Sequence, residues 1–399
     1  MNILYYCEEY PPARNGGIGA VVKVVAEAMA QRGHRVYVVG KYWDGKGLET
    51  IENINGVNVI RWHKGSYNTL GIRCCDFIHS AKNRQRKSRR ILYRTHQLIE
   101  RAITNYHIDV LEMPDYVDDF MSNDHSDMEQ KCFSIPMIIR VHGSVSFLCY
   151  YLKKETSQGY RIIQDQGHIS RADAICAVSE FSKSFVKKYL CPEKEVEVIY
   201  NPIDDALFES TKNDAVGTST ILFFGKIAKM KGVFSLIKAF NMVASTHPEV
   251  RLKLVGNGNI SKVKQMVDPR FACRVEFVGF IPHDRIFDEI DSASFCVLPS
   301  YFETFSMAAV EVLARRKALI FTSKATGPEL IEDGNSGLLV DPDNIEQLAE
   351  KMNLLLDDIE MRDRIALNGY EMCRRRFSTK VIVPQMEQYY QNVIQRCRE

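Results

Sequence analysis

Along this chain the apolar positions gather into short, nearly continuous runs, and longer stretches with helical spacing separate them. In the first half the runs are NILYYC (2–7), RVYVVG (35–40), VNVIRW (57–62), IDVLEM (108–113), PMIIRVHG (136–143), ADAICAVS (172–179) and EVEVIYNP (195–202). Strands that are apolar on both faces, alternating with amphipathic helices, predict parallel sheets covered by helices on each side. The pattern stops at the polar ESTKNDAVGTST (209–220) and restarts with ILFFG, RLKLVG, VEFVGF, SFCVLPS, ALIFTS and SGLLVD. This predicts an α/β protein of two Rossmann-like domains facing across a cleft. The expected domains are residues 1–208, residues 209–379, and a last helix, 380–399, packing back on the first. Ligands of such sheets bind beyond the carboxyl ends of the strands.

Composition narrows the classes. At 399 residues, 45% apolar and 26% charged, the chain has the profile of an ordinary globular protein of two domains. A net charge of +2 gives no support for nucleic acid as a partner. Glu8 and Glu9 cut short the first apolar run, and no run approaches 18 residues, so neither a secretory signal nor a membrane span is expected. The eleven cysteines are scattered without a C-x-x-C pair, which fits free thiols in a reducing cytoplasm rather than a disulfide framework or structural zinc.

Candidate chemistry clusters at predicted strand ends. EEYPPARNGGIG (8–19) links the first strand to the first helix, and glycines there let backbone approach a ligand while the helix N-terminus favours an anion. FFGKIAKMKG (223–232) ends a strand at Gly225 and places Lys226, Lys229 and Lys231 before a helix, an arrangement suited to a diphosphate. LPSYFETFSMAAVEVLA (298–314) holds Glu303 in a loop and Glu311 on the helix that follows. A carboxylate inside MAAVEVLA needs a partner or a ligand. His142 follows a buried strand, where it either meets a substrate hydroxyl or is a satisfied core histidine. Ser179 and Glu180 read as a helix cap or a site edge, and Gly256 and Gly258 as a turn.

Taken in order and spacing, these segments, with VHGS, VSEFSK, YNPID, LVGNGN, VEFVGF and GPELIEDGNSGLLVDPDN, resemble the retaining glycosyltransferases of family 4, which have the GT-B architecture. The resemblance covers nearly the whole chain. It implies that Lys226 and Lys231 bind the donor diphosphate, that Glu311 holds the donor ribose and that Glu303 contacts the transferred sugar. The backbone of Thr304, Phe305, Ser306 and Met307 would approach that sugar and the distal phosphate. Gly16 and Gly17 would close over the phosphates, with Gly225 and Gly256 lining the donor site. His142 would lie near the sugar's outer hydroxyls and the acceptor, and Phe280 and Ile281 would bracket the base. Lys226 stands where many members carry arginine. RKA at 316–318 and TGPE at 326–329 also depart from the usual family pattern.

The implied reaction is sugar transfer from a UDP- or GDP-sugar to a hydroxyl acceptor, with retention of configuration and without a metal or other cofactor. Two alternatives share the scaffold: a nucleotide-sugar epimerase and a non-catalytic sugar-nucleotide-binding subunit. A nicotinamide oxidoreductase is disfavoured because no G-x-G-x-x-G follows the first strand. Finally, KNRQRKSRRILYR (82–94) holds seven basic residues and no acidic one. This predicts contact with an anionic membrane surface and a glycan or lipid-linked acceptor, as in polysaccharide or glycolipid assembly, at the inner face of the cytoplasmic membrane.

Overall fold

A computed structural model describes residues 1–12, 16–42, 50–63, 81–116, 133–151, 155–209 and 219–399. The chain divides into two compact units, Met1–Pro202 with Ile382–Glu399, and Ile203–Val381. The division at 202/203 precedes the polar stretch near 210, for a local reason. Ile203 N–H donates to Phe377 O and Thr379 N–H donates to Ile203 O, and the Tyr370 hydroxyl donates to Phe208 O. The chain is therefore already tied into the second unit before the sequence turns polar.

The first unit is built on an eight-stranded sheet in the order β3-β4-β2-β1-β5-β6-β7-β8. Its strands are β1 Asn2–Tyr6, β2 Arg35–Tyr42, β3 Thr50–Ile54, β4 Val57–His63, β5 Val110–Pro114, β6 Met137–Val141, β7 Ala174–Ala177 and β8 Val196–Val198. All neighbouring pairs are parallel except β3 and β4, an antiparallel hairpin at the edge. The sheet is therefore parallel in the main, with one antiparallel hairpin at its edge. Asn55 and Gly56 both take positive φ (50° and 85°), as a two-residue turn between right-twisted strands requires.

The helix Thr379–Arg398 belongs to this unit from Ile382 onward and closes over a charged group in the sheet. The Tyr390 hydroxyl donates to Glu112 Oε2 at 2.6 Å, with the Tyr5 hydroxyl 3.3 Å away. Burial pushes the Glu112 carboxyl upward, and the Arg140 charge opposes this. Arg140, 1% exposed in the middle of the sheet, donates to the carbonyls of Ile199 and Tyr200 and to Asn201 Oδ1. A buried arginine survives where carbonyl and amide oxygens replace its water and a nearby carboxylate offsets its charge.

The second unit has a six-stranded, wholly parallel sheet in the order β11-β10-β9-β12-β13-β14. The strands are β9 Thr220–Phe224, β10 Arg251–Val255, β11 Val275–Gly279, β12 Phe295–Leu298, β13 Ala318–Thr322 and β14 Leu338–Val340. Strand order reverses between β9 and β12, so the loops leaving these two strands diverge and open a crevice at their carboxyl ends.

Candidate active site

The crevice of the second unit has a wall of bare backbone. Gly225, Gly256 and Gly279 follow β9, follow β10 and end β11, with φ of 129°, 138° and 82°. They are laced together, since Gly225 N–H donates to Val255 O and Gly256 N–H donates to Gly279 O. A Cβ on Gly256 would lie 1.9 Å from Gly225 O, and one on Gly258 2.2 Å from Ile227 O, so the two loops touch through backbone alone. Gly232, at φ 73°, plays the same part on the other side of the crevice: a Cβ there would lie 1.8 Å from Pro299 O. Tyr301 N–H donates to Met230 O and completes this seam.

That seam brings the expected charges together. Lys231, just before Gly232, donates from Nζ to Glu303 Oε1 at 2.7 Å. The pair is partly open to solvent, 30% for Lys231 and 13% for Glu303. Lys226 is exposed and has no ion-pair partner among the described residues. Ser306 caps the helix Met307–Ala314 in a left-handed conformation (φ 74°), its Oγ accepting from Ala309 N–H. The earlier amides of that turn have no intrahelical acceptor. Phe305 is buried edge-on to Phe377 and anchors the turn, whereas Thr304 and Met307 are half-buried beside it.

Glu311 is 4% exposed, and the structure supplies the partner that its sequence position demanded. His283 Nε2 donates to Glu311 Oε1 at 2.8 Å, from the first turn of the helix His283–Ser292. The ring sits edge-on to Phe287. Between β11 and this helix, Phe280 is 73% exposed and Ile281 is half-buried, so both stand at the rim. Lys226, Lys231, Glu303, Glu311, Phe280 and Ile281 thus belong to the loops and helix starts at the carboxyl ends of β9, β11 and β12.

The first unit has its own polar centre at the ends of β5 and β6. His142 is half-buried, and burial together with the Arg140 charge pulls its pKa down to about 3, so the ring is neutral near pH 7. The turn carrying it is clamped by Asp115, whose two carboxylate oxygens accept from His142 N–H (2.9 Å) and Gly143 N–H (3.1 Å). Burial, with the Asp165 charge adding to it, pushes Asp115 up to about 7. His168, held by burial down to about 4, lies 3.2 Å from Pro114 O. At the first loop, residues 13–15 lie outside the described residues. At Gly16 a Cβ would lie 2.3 Å from Glu9 Oε2, the end of a side chain that can turn aside, so the contact is with a movable group and not with backbone. At Gly17 a Cβ meets nothing within 4 Å. The amide of Gly19 donates to Glu9 Oε2 at 3.4 Å, so this helix N-terminus already faces a carboxylate of its own chain.

Two family models divide the chain: the one described as Glycosyltransferase Family 4 matches residues 15–207, and Glycosyl transferases group 1 matches 204–372. The chain belongs to glycosyltransferase family 4. It is similar to an uncharacterized glycosyltransferase of Methanocaldococcus jannaschii, 26% identical over 397 residues, which span 95% of each chain. Its fold is that of the GT-B enzymes. A sucrose-phosphate synthase from Thermosynechococcus elongatus superposes with a TM-score of 0.80 at 20% identity, over 98% of this chain and 99% of that one. The Anabaena protein HepE in complex with UDP-glucose gives 0.69 at 17% identity, over 98% and 100%.

For a family 4 glycosyltransferase, three groups at these centres were invisible in the sequence reading. His283 was not singled out. Asp115, in EMPDY, lies 27 residues from the turn that it clamps. Gly232 read only as a helix boundary, although its φ marks a contact with the β12 loop. The demand for a partner at Glu311 was the one signal pointing to His283. The basic side chains of 82–94 lie outside the described residues, and the backbone there is part of the helix Ala81–Tyr106. Among the described residues no helix is long and apolar enough to cross a membrane, and no group of three or more His, Cys, Asp or Glu is placed to hold a metal.

Proposed function

We propose that this family 4 glycosyltransferase moves a sugar from a nucleotide diphosphate sugar to a hydroxyl acceptor, with retention of anomeric configuration and without a divalent metal. The observation that carries the reading is the pair of acid–base contacts, Lys231–Glu303 and His283–Glu311, at the mouth of β9, β11 and β12. Breaking the glycosidic bond leaves negative charge on the departing diphosphate. Lys231, held by Glu303, and Lys226, on the turn after β9, offset it, and the first amides of the Met307–Ala314 helix add the positive end of a dipole. Glu303 accepts hydrogen bonds from hydroxyls of the transferred sugar, which requires Lys231 to share its charge between that carboxylate and a phosphate. Glu311, buried and acceptor-only, suits a ribose diol, and the bare backbone at Gly225 and Gly256 leaves room for the nucleotide. HepE, whose fold this chain shares, was solved with UDP-glucose, which favours the UDP series first.

The test is a thermal-shift screen of UDP- and GDP-sugars, then acceptor transfer from the best donor with NMR assignment of the new anomeric centre. Protection by one series followed by retained configuration supports the reading. Donor conversion without any acceptor reassigns the protein to the epimerase class, and inversion overturns the stereochemistry. We extend the proposal to a glycan or lipid-linked acceptor at the inner face of the cytoplasmic membrane, on the basic run 82–94. Failure to sediment with anionic vesicles at low salt removes that part.

A further inference from the structure

We propose that His283 is a positioning residue for donor binding: by holding one oxygen of Glu311, it fixes the carboxylate plane so that the other oxygen is presented to the ribose diol. The inference rests on the donor reading above. Glu311 lies on the helix that starts after β12, and His283 opens the helix that follows β11. The two are 28 residues apart in sequence, and the bond joins the two helix starts. Glu311 Oε1 takes the imidazole N–H at 2.8 Å, while the glutamate as a whole is 4% exposed. A buried carboxylate with free torsions would have to be ordered when the ribose arrives. One already held by a neighbour spends less of its binding energy on ordering. The bond fixes the tautomer as well, because an ionised carboxylate only accepts, so Nε2 carries the proton. Phe287, edge-on to the ring, limits the swing of His283. Phe280, three residues before His283 and 73% exposed, stands on the same segment, so the bond also ties that segment to the Glu311 helix.

Calorimetric titration of UDP and GDP, and of their 2′,3′-dideoxy analogues, into wild type, His283→Ala and His283→Gln separates this role from a merely structural one. The expected result is a roughly tenfold loss of affinity for the ribonucleotide in His283→Ala, the scale of one lost hydrogen bond to a charged group. Affinity for the dideoxy analogue should not change. His283→Gln, whose amide also donates, should recover most of the loss. Equal losses for both nucleotides, or none for either, overturn the inference while leaving the donor reading standing. If neither diphosphate binds the wild type, the donor reading and the inference fall together.

Discussion

Replacing Gly232 with alanine probes whether the seam between the β9 and β12 loops sets the site. The new Cβ starts 1.8 Å from Pro299 O, and real Cβ atoms do not approach closer than 3.0 Å, so one loop must retreat by at least 1.2 Å. Left-handed backbone costs a non-glycine residue about 1–2 kcal/mol. Relieving the overlap adds about 1–3 kcal/mol, as in overpacked cores. A combined loss of about 2–5 kcal/mol lowers the melting midpoint of the unit Ile203–Val381 by about 4–20 °C. Lys231 is the adjacent residue and moves with the loop, and a displacement near 1 Å costs on the order of 10²-fold in rate. Gly334→Ala is the matched control: its φ is 78°, yet a Cβ there meets nothing within 4 Å. It carries the backbone penalty without the collision. Circular dichroism melts and initial transfer rates of the two variants decide the matter. Equal melting midpoints and equal rates would refute the reasoning.

Lys231→Ala should cut transfer by 10²–10³-fold, on the scale of a lost oxyanion donor. Its pair with Glu303 is partly exposed, so the melting midpoint should move by less than about 1 kcal/mol equivalent. Arg315→Ala strands Asp291 (Arg315 4% and Asp291 6% exposed in this pair) and should cost about 3–5 kcal/mol, read as a lower unfolding midpoint. Tyr390→Phe removes the donor to buried Glu112 and should cost about 1–3 kcal/mol by the same measurement. Asp115→Asn tests pH linkage. With its carboxyl raised from 3.8 to about 7, the folded state keeps a proton that the unfolded chain has lost, so the stability this group contributes is full below pH 3.8 and is lost as pH rises toward 7. His142 and His168, lowered from 6.5 to about 3 and about 4, have the opposite sign: their contribution is full above pH 6.5 and is lost as pH falls. The variant's stability relative to wild type should therefore rise between pH 4 and pH 7, as followed by denaturant midpoints. A pH-independent difference contradicts the assignment.

The strands were legible because apolar runs such as ILFFG and SFCVLPS need nothing beyond their own composition to be read. The β3 strand was not, since TIENI is mostly exposed and gains its place only by pairing with VNVIRW across Asn55–Gly56. At the site, Lys231, Glu303 and Glu311 could be picked out because charge at a strand end, or inside an apolar helix face, contradicts its surroundings. His283 and Asp115 contradict nothing locally: each acts on a residue about 28 positions away, a relation set by how helices and turns land on the sheet. Arg140 sits in IIRV, which reads as a plain buried strand, and only tertiary packing shows the carbonyls that replace its water.

The glycine-lined wall also constrains how such a chain can diverge. Gly232, Gly256 and Gly258 admit no side chain, so drift at those positions is closed whatever the substrate. Phe280, by contrast, is mostly solvent-exposed and packs little, so replacing it costs the fold almost nothing. Under the donor reading proposed above, a lineage could change nucleotide preference by substitutions along 280–282 while the sheet mouth and the His283–Glu311 bond stay fixed. An engineer could exploit the same asymmetry, with a library confined to three rim positions on an otherwise untouched scaffold.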